Sequence, residues 1–182
     1  MKVPGDHTTG PSTARLTLRA FRPSGAEAFY RLNSDPDVVR YTGDPPCPSV
    51  AAAEAGIRAY PDWERVGFGR WATVHRADQR VIGFAGLKYL AELDAVDLGY
   101  RFLPEYWGRG LATEASSACV SYGFEKLGLD AIIGLVLPEN TASVRVLQKV
   151  RMRKVGTERF DGLVADRYEL RRADWSRNGF CR

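Results

Sequence analysis

Asp97-Leu98-Gly99-Tyr100-Arg101-Phe102-Leu103-Pro104-Glu105-Tyr106-Trp107-Gly108-Arg109-Gly110-Leu111-Ala112-Thr113-Glu114-Ala115 is the stretch on which the reading of the whole chain turns. Val96, Leu98, Tyr100 and Phe102 alternate with Asp97, Gly99, Arg101 and Leu103, so the spacing predicts a strand over 96–103 with one apolar and one mostly polar face. Pro104 stops it. Beyond the turn, Leu111, Ala115, Ala118, Cys119 and Tyr122 keep helical spacing until Gly128. Gly108 and Gly110 let the backbone turn tightly and approach a ligand, while the first helical turn leaves N–H groups unpaired. Such a place suits phosphate, and the helix dipole adds to the attraction. Ala112 is small enough to keep the entrance open, and Arg109 can supply a full positive charge.

Working outward, Leu16, Leu18 and Ala20 alternate with Thr17, Arg19 and Phe21 and read as a first strand. A helix follows from Pro23-Ser24 to about Asn33 with Ser24 as a cap, then a helical turn within Asp35–Tyr41. Ser49 caps another helix in which Val50, Ala53, Ile57 and Tyr60 share a face. Gly69–His75 and Arg80–Leu90 form a hairpin around Ala77-Asp78-Gln79. Ala131–Leu137 is a short run of the kind buried on both faces, ended by Pro138. Asn140–Val150 is helical, and Arg153–Glu158 with Val164–Leu170 makes a closing pair around Asp161-Gly162. The fold class is therefore α+β around one mixed sheet.

Length and composition narrow the function classes. A chain of 182 residues, 45% hydrophobic and 26% charged, fits one compact domain. No stretch reaches the roughly 20 apolar residues of a membrane span, and the polar start lacks the apolar core of a signal peptide. Cys47, Cys119 and Cys181 have no Cys-x-x-Cys spacing and only His7 and His75 for company, so a reduced, metal-free, cytoplasmic protein is expected. Residues 1–150 carry 17 basic and 17 acidic side chains, and the whole net charge of +4 lies in 151–182. That excess fits a solvated mixed surface, without the basic-aromatic pattern of a nucleic-acid module.

Spacing also sorts the phosphate sites. No Gly-x-x-x-x-Gly-Lys string followed by Ser or Thr is present, which removes a P-loop. A dinucleotide fingerprint on Gly108 and Gly110 would put Thr113 at its third glycine, and Asp130 precedes the next strand when it should follow it. A plain glycine turn that only connects strand to helix stays open on these residues alone.

The blocks Asp97-Leu98-Gly99-Tyr100-Arg101, Pro104 to Ala115, Asn140-Thr141-Ala142-Ser143-Val144-Arg145-Val146-Leu147-Gln148-Lys149 and Tyr168-Glu169-Leu170 before Asp174-Trp175 occur in one order over about Arg15 to Trp175. In this they resemble the GNAT acyltransferase superfamily, and in particular its ribosomal-protein N-acetyltransferase-like branch. The resemblance implies a single domain with a mixed, mostly antiparallel sheet whose central strands splay, flanked by helices. It implies acetyl-CoA as co-substrate, its pyrophosphate held by the N–H groups of Gly108, Arg109, Gly110, Leu111, Ala112 and Thr113. Pantetheine would run beside Phe102 and Leu103, in a cleft where that strand parts from Ala131–Leu137. Two departures stand out. Trp107 replaces the usual Gln or Arg, and Val150-Arg151-Met152 replaces an apolar residue, Gly and Phe, so that Arg151 takes the place of a helix-ending glycine.

Chemistry then assigns roles. Only a neutral amine attacks a thioester, and at pH 7 a lysine near pKa 10.4 is far more protonated than an α-amino group near 7.7–8.0. No covalent enzyme nucleophile is needed, and none is recognisable in the sequence. An N–H near Phe102 or Leu103 would stabilise the oxyanion. By the resemblance, Ser143 faces the thiol as acid or donor, or else it is simply a polar first-turn residue; Asn140 caps that helix and contacts the cofactor. For the base, Asp97 shares a face with Gly99 and Arg101, although an Asp97–Arg101 ion pair across Gly99 is the stronger expectation. Glu105 is the second candidate, and water can relay the proton. His75 reads as structural, and Trp63, Phe68 and Trp71 as core more than as an acceptor pocket.

The expectation is an acetyl-CoA-dependent N-acetyltransferase without metal, acting by direct attack in a ternary complex. Its partner is an amine acceptor: a protein N-terminus, that of a ribosomal protein included, or a small molecule such as a polyamine or antibiotic. No nucleic acid or membrane is expected, and the chain would be a monomer or homodimer. The rival is a catalytically inactive acyl-CoA-binding regulatory or assembly protein. Residues 1–14 are expected as a flexible segment, 15–175 as the acetyltransferase domain and 176–182 as a tail.

Overall fold

The computed structural model describes residues 2–177, so most of the expected tail, with Cys181, lies outside the described residues. The sheet is built from β1 (Thr9–Ser12), β2 (Leu16–Arg19), β3 (Arg70–His75), β4 (Val81–Leu90), β5 (Ala95–Phe102), β6 (Ala131–Val136), β7 (Arg153–Phe160) and β8 (Leu163–Arg171). These form one sheet of eight strands in the order β1-β2-β3-β4-β5-β6-β8-β7. Every neighbouring pair is antiparallel except β5 and β6. That parallel pair is in register only at Asp97 and Ile133, so the two central strands part on either side of one contact. The fold is the α+β, mostly antiparallel and centrally splayed one that the sequence leads to.

Among the described residues seven helices accompany the strands: α1 (Ala26–Ser34), α2 (Pro36–Val39), α3 (Val50–Arg58), α4 (Asp62–Arg65), α5 (Leu111–Glu125), α6 (Thr141–Lys149) and α7 (Arg172–Arg177). Strand alternation divides them between the faces. A Cβ on Gly123 of α5 would touch Leu87 of β4 and Ile132 of β6, and one on Gly134 would touch Leu147 of α6, so α5 and α6 cover one face. Phe84, of opposite parity to Leu87 on β4, shares a cavity wall with Phe29 of α1 and Ile57 of α3 on the other face. The core between includes Leu16, Leu18, Trp71, Ile82, Phe124 and Ile132, all at most 0% exposed. Among the described residues, no helix is long and apolar enough to cross a membrane.

Local details depart from the sequence reading for physical reasons. Ser24 sits inside a 3-10 turn, Pro23–Gly25, and Gly25 is the N-cap of α1, without a side-chain bond. Ser49 does cap α3, accepting from the Ala52 N–H, and Asp35 caps α2 through the Asp37 and Val38 N–H groups. Residues 1–14, expected to be flexible, contain β1, which pairs with β2 through Thr9–Arg19 and Ser12–Thr17. Gly10 there lies against the Trp71 ring, leaving no room for a Cβ. Arg151 holds the left-handed position with φ 66°, and the Met152 N–H donates to Leu147 O at 3.0 Å. The end of α6 is thus the one a glycine would give, made with an arginine.

Candidate active site

The polar face of β5 runs out at Phe102, and a 3-10 turn at Pro104–Tyr106 carries the chain to the two glycines. Gly108 and Gly110 have φ of 73° and 76°, the left-handed region where a side chain is strained. Gly110 is the N-cap of α5 and offers no side-chain acceptor, so the amides of its first turn are left for a ligand. A cavity of about 440 Å³ opens there, walled by Gly108, Gly110, Leu111, Ala112 and Thr113 on one side and by Asn140 and Ser143 on the other. Its shape and donors fit a diphosphate.

The positive charge comes from elsewhere than expected. The Arg109 guanidinium lies 5.3 Å from the Tyr106 ring centroid, and Arg109 does not line the cavity. Arg40, Arg145 and Lys149 line it instead. Arg145 and Lys149 stand four apart on α6, a basic stripe that was readable in the sequence. Glu114, an acid in the first turn of α5, would repel an anion if left alone. It is held by the Thr13 hydroxyl at 2.5 Å, the Arg15 N–H at 3.0 Å and Arg15 Nε at 2.6 Å. Burial works against its ionisation, yet these bonds outweigh it and keep the carboxyl below its usual range.

At the strand end, the Leu103 N–H donates to Ile82 O at 2.9 Å, which removes it as an oxyanion donor. Bond direction alternates along an antiparallel strand, so Phe102 turns its backbone groups toward the β6 side. Its C=O there accepts the Trp107 indole N–H at 2.6 Å. The Phe102 N–H therefore faces the gap between the parted strands. The Trp107 ring, 48% exposed, uses its polar edge to fix the turn.

Across the gap, Asn140 caps α6 by accepting the Ser143 N–H at 3.2 Å. Ser143 O accepts the Tyr100 hydroxyl at 3.2 Å, a contact the sequence did not suggest. Burial first of all pushes the Tyr100 phenol up to about 12. Asn140, Ser143, Tyr100 and Arg101 border both the cofactor-sized cavity and a second one of about 240 Å³, so the two adjoin at Ser143.

Asp97 lines that second cavity, 7% exposed. Its expected partner is replaced. Arg70 Nη2 lies 3.1 Å from Asp97 Oδ2, while Arg101 binds Asp44 and, at 2.6 Å, the Asn33 amide oxygen. Gly99 supplies the reason: a Cβ there would sit 2.5 Å from Arg70 Nη2, so the space it opens admits a guanidinium reaching across from β3. The other Asp97 oxygen accepts the Leu135 N–H at 3.2 Å and bridges β5 to β6. Burial raises the Asp97 pKa, with the Arg70 charge and the Leu135 bond opposing it.

Glu105 and His75 lie outside this constellation. Glu105 lines none of the three cavities and pairs with Arg31 at 3.1 Å on the surface. His75 lies against the Tyr106 ring and 3.1 Å from Asp78, a structural position. Phe68 and Trp71 are fully buried core, whereas Trp63 lines a third cavity described below.

The family model described as "Acetyltransferase (GNAT) domain" matches residues 15–153. The N-acetyltransferase YoaA of Bacillus subtilis (strain 168), itself uncharacterized, is 36% identical over 149 residues, covering 81% of this chain and 84% of the relative. The crystal structure of a GNAT-family acetyltransferase from Bacillus anthracis has a TM-score of 0.71 at 27% identity, covering 87% of this chain and 94% of that one. The spermidine N-acetyltransferase of Vibrio cholerae, solved with CoA and spermine, shares the fold at TM-score 0.74 and 20% identity, over 90% and 99% of the two chains. The family match takes in the parted strands and the glycine turn together, and on that span the chain belongs to the GNAT acetyltransferases and is an N-acetyltransferase.

Proposed function

We propose that the protein moves an acetyl group from acetyl-CoA to a primary amine, by direct attack within a ternary complex. The observation that carries this reading is that two cavities adjoin. The one at Gly108–Thr113 shares Ser143, Asn140, Tyr100 and Arg101 as wall with a second chamber that Asp97 lines. Two substrates can therefore meet at the seam between β5 and β6.

In the reaction the amine nitrogen bonds the thioester carbon, the C–S bond breaks, the nitrogen loses a proton and the thiolate gains one. The backbone N–H groups from Gly108 to Thr113 hold the pyrophosphate, with Arg145 and Lys149 adding charge at the rim. Phe102 offers its N–H to the developing oxyanion, and Leu103 packs behind it, 4% exposed. Ser143, on the wall that both cavities share, protonates the thiolate, directly or through water. Asp97 takes the amine proton, since its raised pKa brings it closer to that task than an exposed carboxylate. Arg109 acts indirectly, through the turn it helps to shape.

The acceptor is a protein α-amino group of the ribosomal-protein kind or a small-molecule amine. The test is release of free thiol from acetyl-CoA over a broad amine panel, with mass detection of the acetylated product. Absence of thiol release across the panel, with tight binding in a direct CoA titration, would replace this reading with that of a non-catalytic acyl-CoA-binding protein.

A further inference from the structure

Resting on the acetyl-transfer reading, we propose that the preferred acceptor is a primary amine bearing an aromatic or ring-sized apolar group, and that polycationic amines are poor acceptors. The site for that group is a third cavity, about 240 Å³, on the α1 and α3 face of the sheet. It meets the Asp97 chamber at Asp44, Arg70, Phe84 and Arg101, which border both.

The rest of its wall is aromatic and apolar, with Phe21, Phe29, Ile57, Tyr60 and Trp63. These rings brace one another edge-on: Phe21 and Phe29 centroids are 5.1 Å apart, Tyr60 and Trp63 6.2 Å. A cage of rings can also hold a cation, so charge has to decide between the two kinds of guest. Here the guanidiniums of Arg70 and Arg101 each already lie 5.5 Å from the Phe84 centroid. Among the wall residues, those two cations face one carboxylate, Asp44, which is bonded to Arg101. In the adjoining chamber Asp97 is bound to Arg70, Lys88 adds another cation, and the remaining acid, Asp161, belongs to the exposed turn between β7 and β8. A guest with several ammonium groups finds few uncommitted acids and like charges close by. An apolar ring finds a ready-made wall.

Gly56 provides the handle for a test. It lies on α3 at the rim of this cavity, and a Cβ placed on it meets no atom within 4 Å. Glycine is also unfavourable inside a helix, so Gly56→Leu adds bulk at the mouth without straining the fold. Ile57→Trp is a second plug from the same helix.

Initial rates of thiol release are measured with acetyl-CoA and, in turn, 3-phenylpropylamine, propylamine and spermidine. The expected result is a kcat/KM for 3-phenylpropylamine about tenfold or more above that for propylamine, the scale of burying one ring, with spermidine below both. In Gly56→Leu and Ile57→Trp the ratio of the first two falls toward one. Spermidine preferred over 3-phenylpropylamine, or plugs that leave the ratio unchanged, would overturn this proposal while leaving acetyl transfer intact. If no amine releases thiol, the transfer reading fails by itself, and calorimetric titration of 3-phenylpropylamine into the protein with CoA decides the cavity. Binding that Gly56→Leu weakens upholds the recess as a ring site; absence of binding overturns it.

Discussion

Arg15 Nη2 lies 2.6 Å from Glu114 Oε2, and the same guanidinium donates through Nη1 to Arg109 O at 3.0 Å. One side chain from the edge of β2 thus neutralises an acid in the first turn of α5 and ties down the glycine turn beside it. Arg15→Ala is expected to raise KM for acetyl-CoA about three- to tenfold, the scale of a partly exposed ion pair of ~1 kcal/mol, with a smaller change in kcat. Steady-state kinetics with acetyl-CoA varied at saturating amine provide the measurement. A change confined to kcat would contradict the role.

The same pair gives a pH dependence of definite sign. The Glu114 pKa is lowered from its ordinary 4.5 on folding. Its contribution to stability is therefore complete above about pH 4.5 and lost as the pH falls through the lower, folded-state value. Glu114→Gln should flatten this part of the acid limb of a melting-temperature profile taken from pH 3 to pH 7, and an unchanged limb would contradict the assignment.

Gly110 holds φ 76° at the N-cap of α5. Gly110→Ala is expected to cost about 1–2 kcal/mol of stability through left-handed strain and to weaken CoA binding at least severalfold. Chemical denaturation and calorimetric titration read the two effects separately.

Asp97 has two duties that one substitution can part. Asp97→Asn keeps an acceptor for the Leu135 N–H but deprives Arg70 of its counter-charge, so stability should fall by about 1–3 kcal/mol. If Asp97 also takes the amine proton, the acidic limb of kcat/KM against pH disappears in the variant. A variant less stable yet with an unchanged pH profile would leave Asp97 as a structural residue alone.

Arg151 sits at φ 66° where α6 ends. Relief of the strain, less some unfolded-state entropy, favours Arg151→Gly by about 0.5–1 kcal/mol, or roughly 1–4 °C in Tm at this chain length, and any shortfall measures what the contacts of the lost side chain contribute. Differential scanning calorimetry checks it.

Much of this arrangement was legible in the sequence because it rests on local rules. Alternation over 96–103 defines β5, paired glycines mark the turn, and helical spacing marks α5, each within one short window. Partners brought from far along the chain were not legible. Alternation placed Asp97, Gly99 and Arg101 on one face but could not say that Arg70, two strands away, would fill the space over Gly99. The same limit hid Arg15 behind Glu114 and the Tyr100 hydroxyl on Ser143 O, contacts separated by 99 and 43 residues. Arg109 is a different case: its contact with the Tyr106 ring is local, but a reading of its charge alone passes over it.

Between β5 and β6 the ladder amounts to one registered residue pair and the carboxylate of Asp97. The eight strands therefore behave as a block of five and a block of three, riveted at a single point and otherwise held by the helices laid over them. Chemistry placed along that join sits where the two blocks have the least mutual grip, so a small change in the angle between them alters the width of the reaction gap while leaving each block's own hydrogen bonds whole.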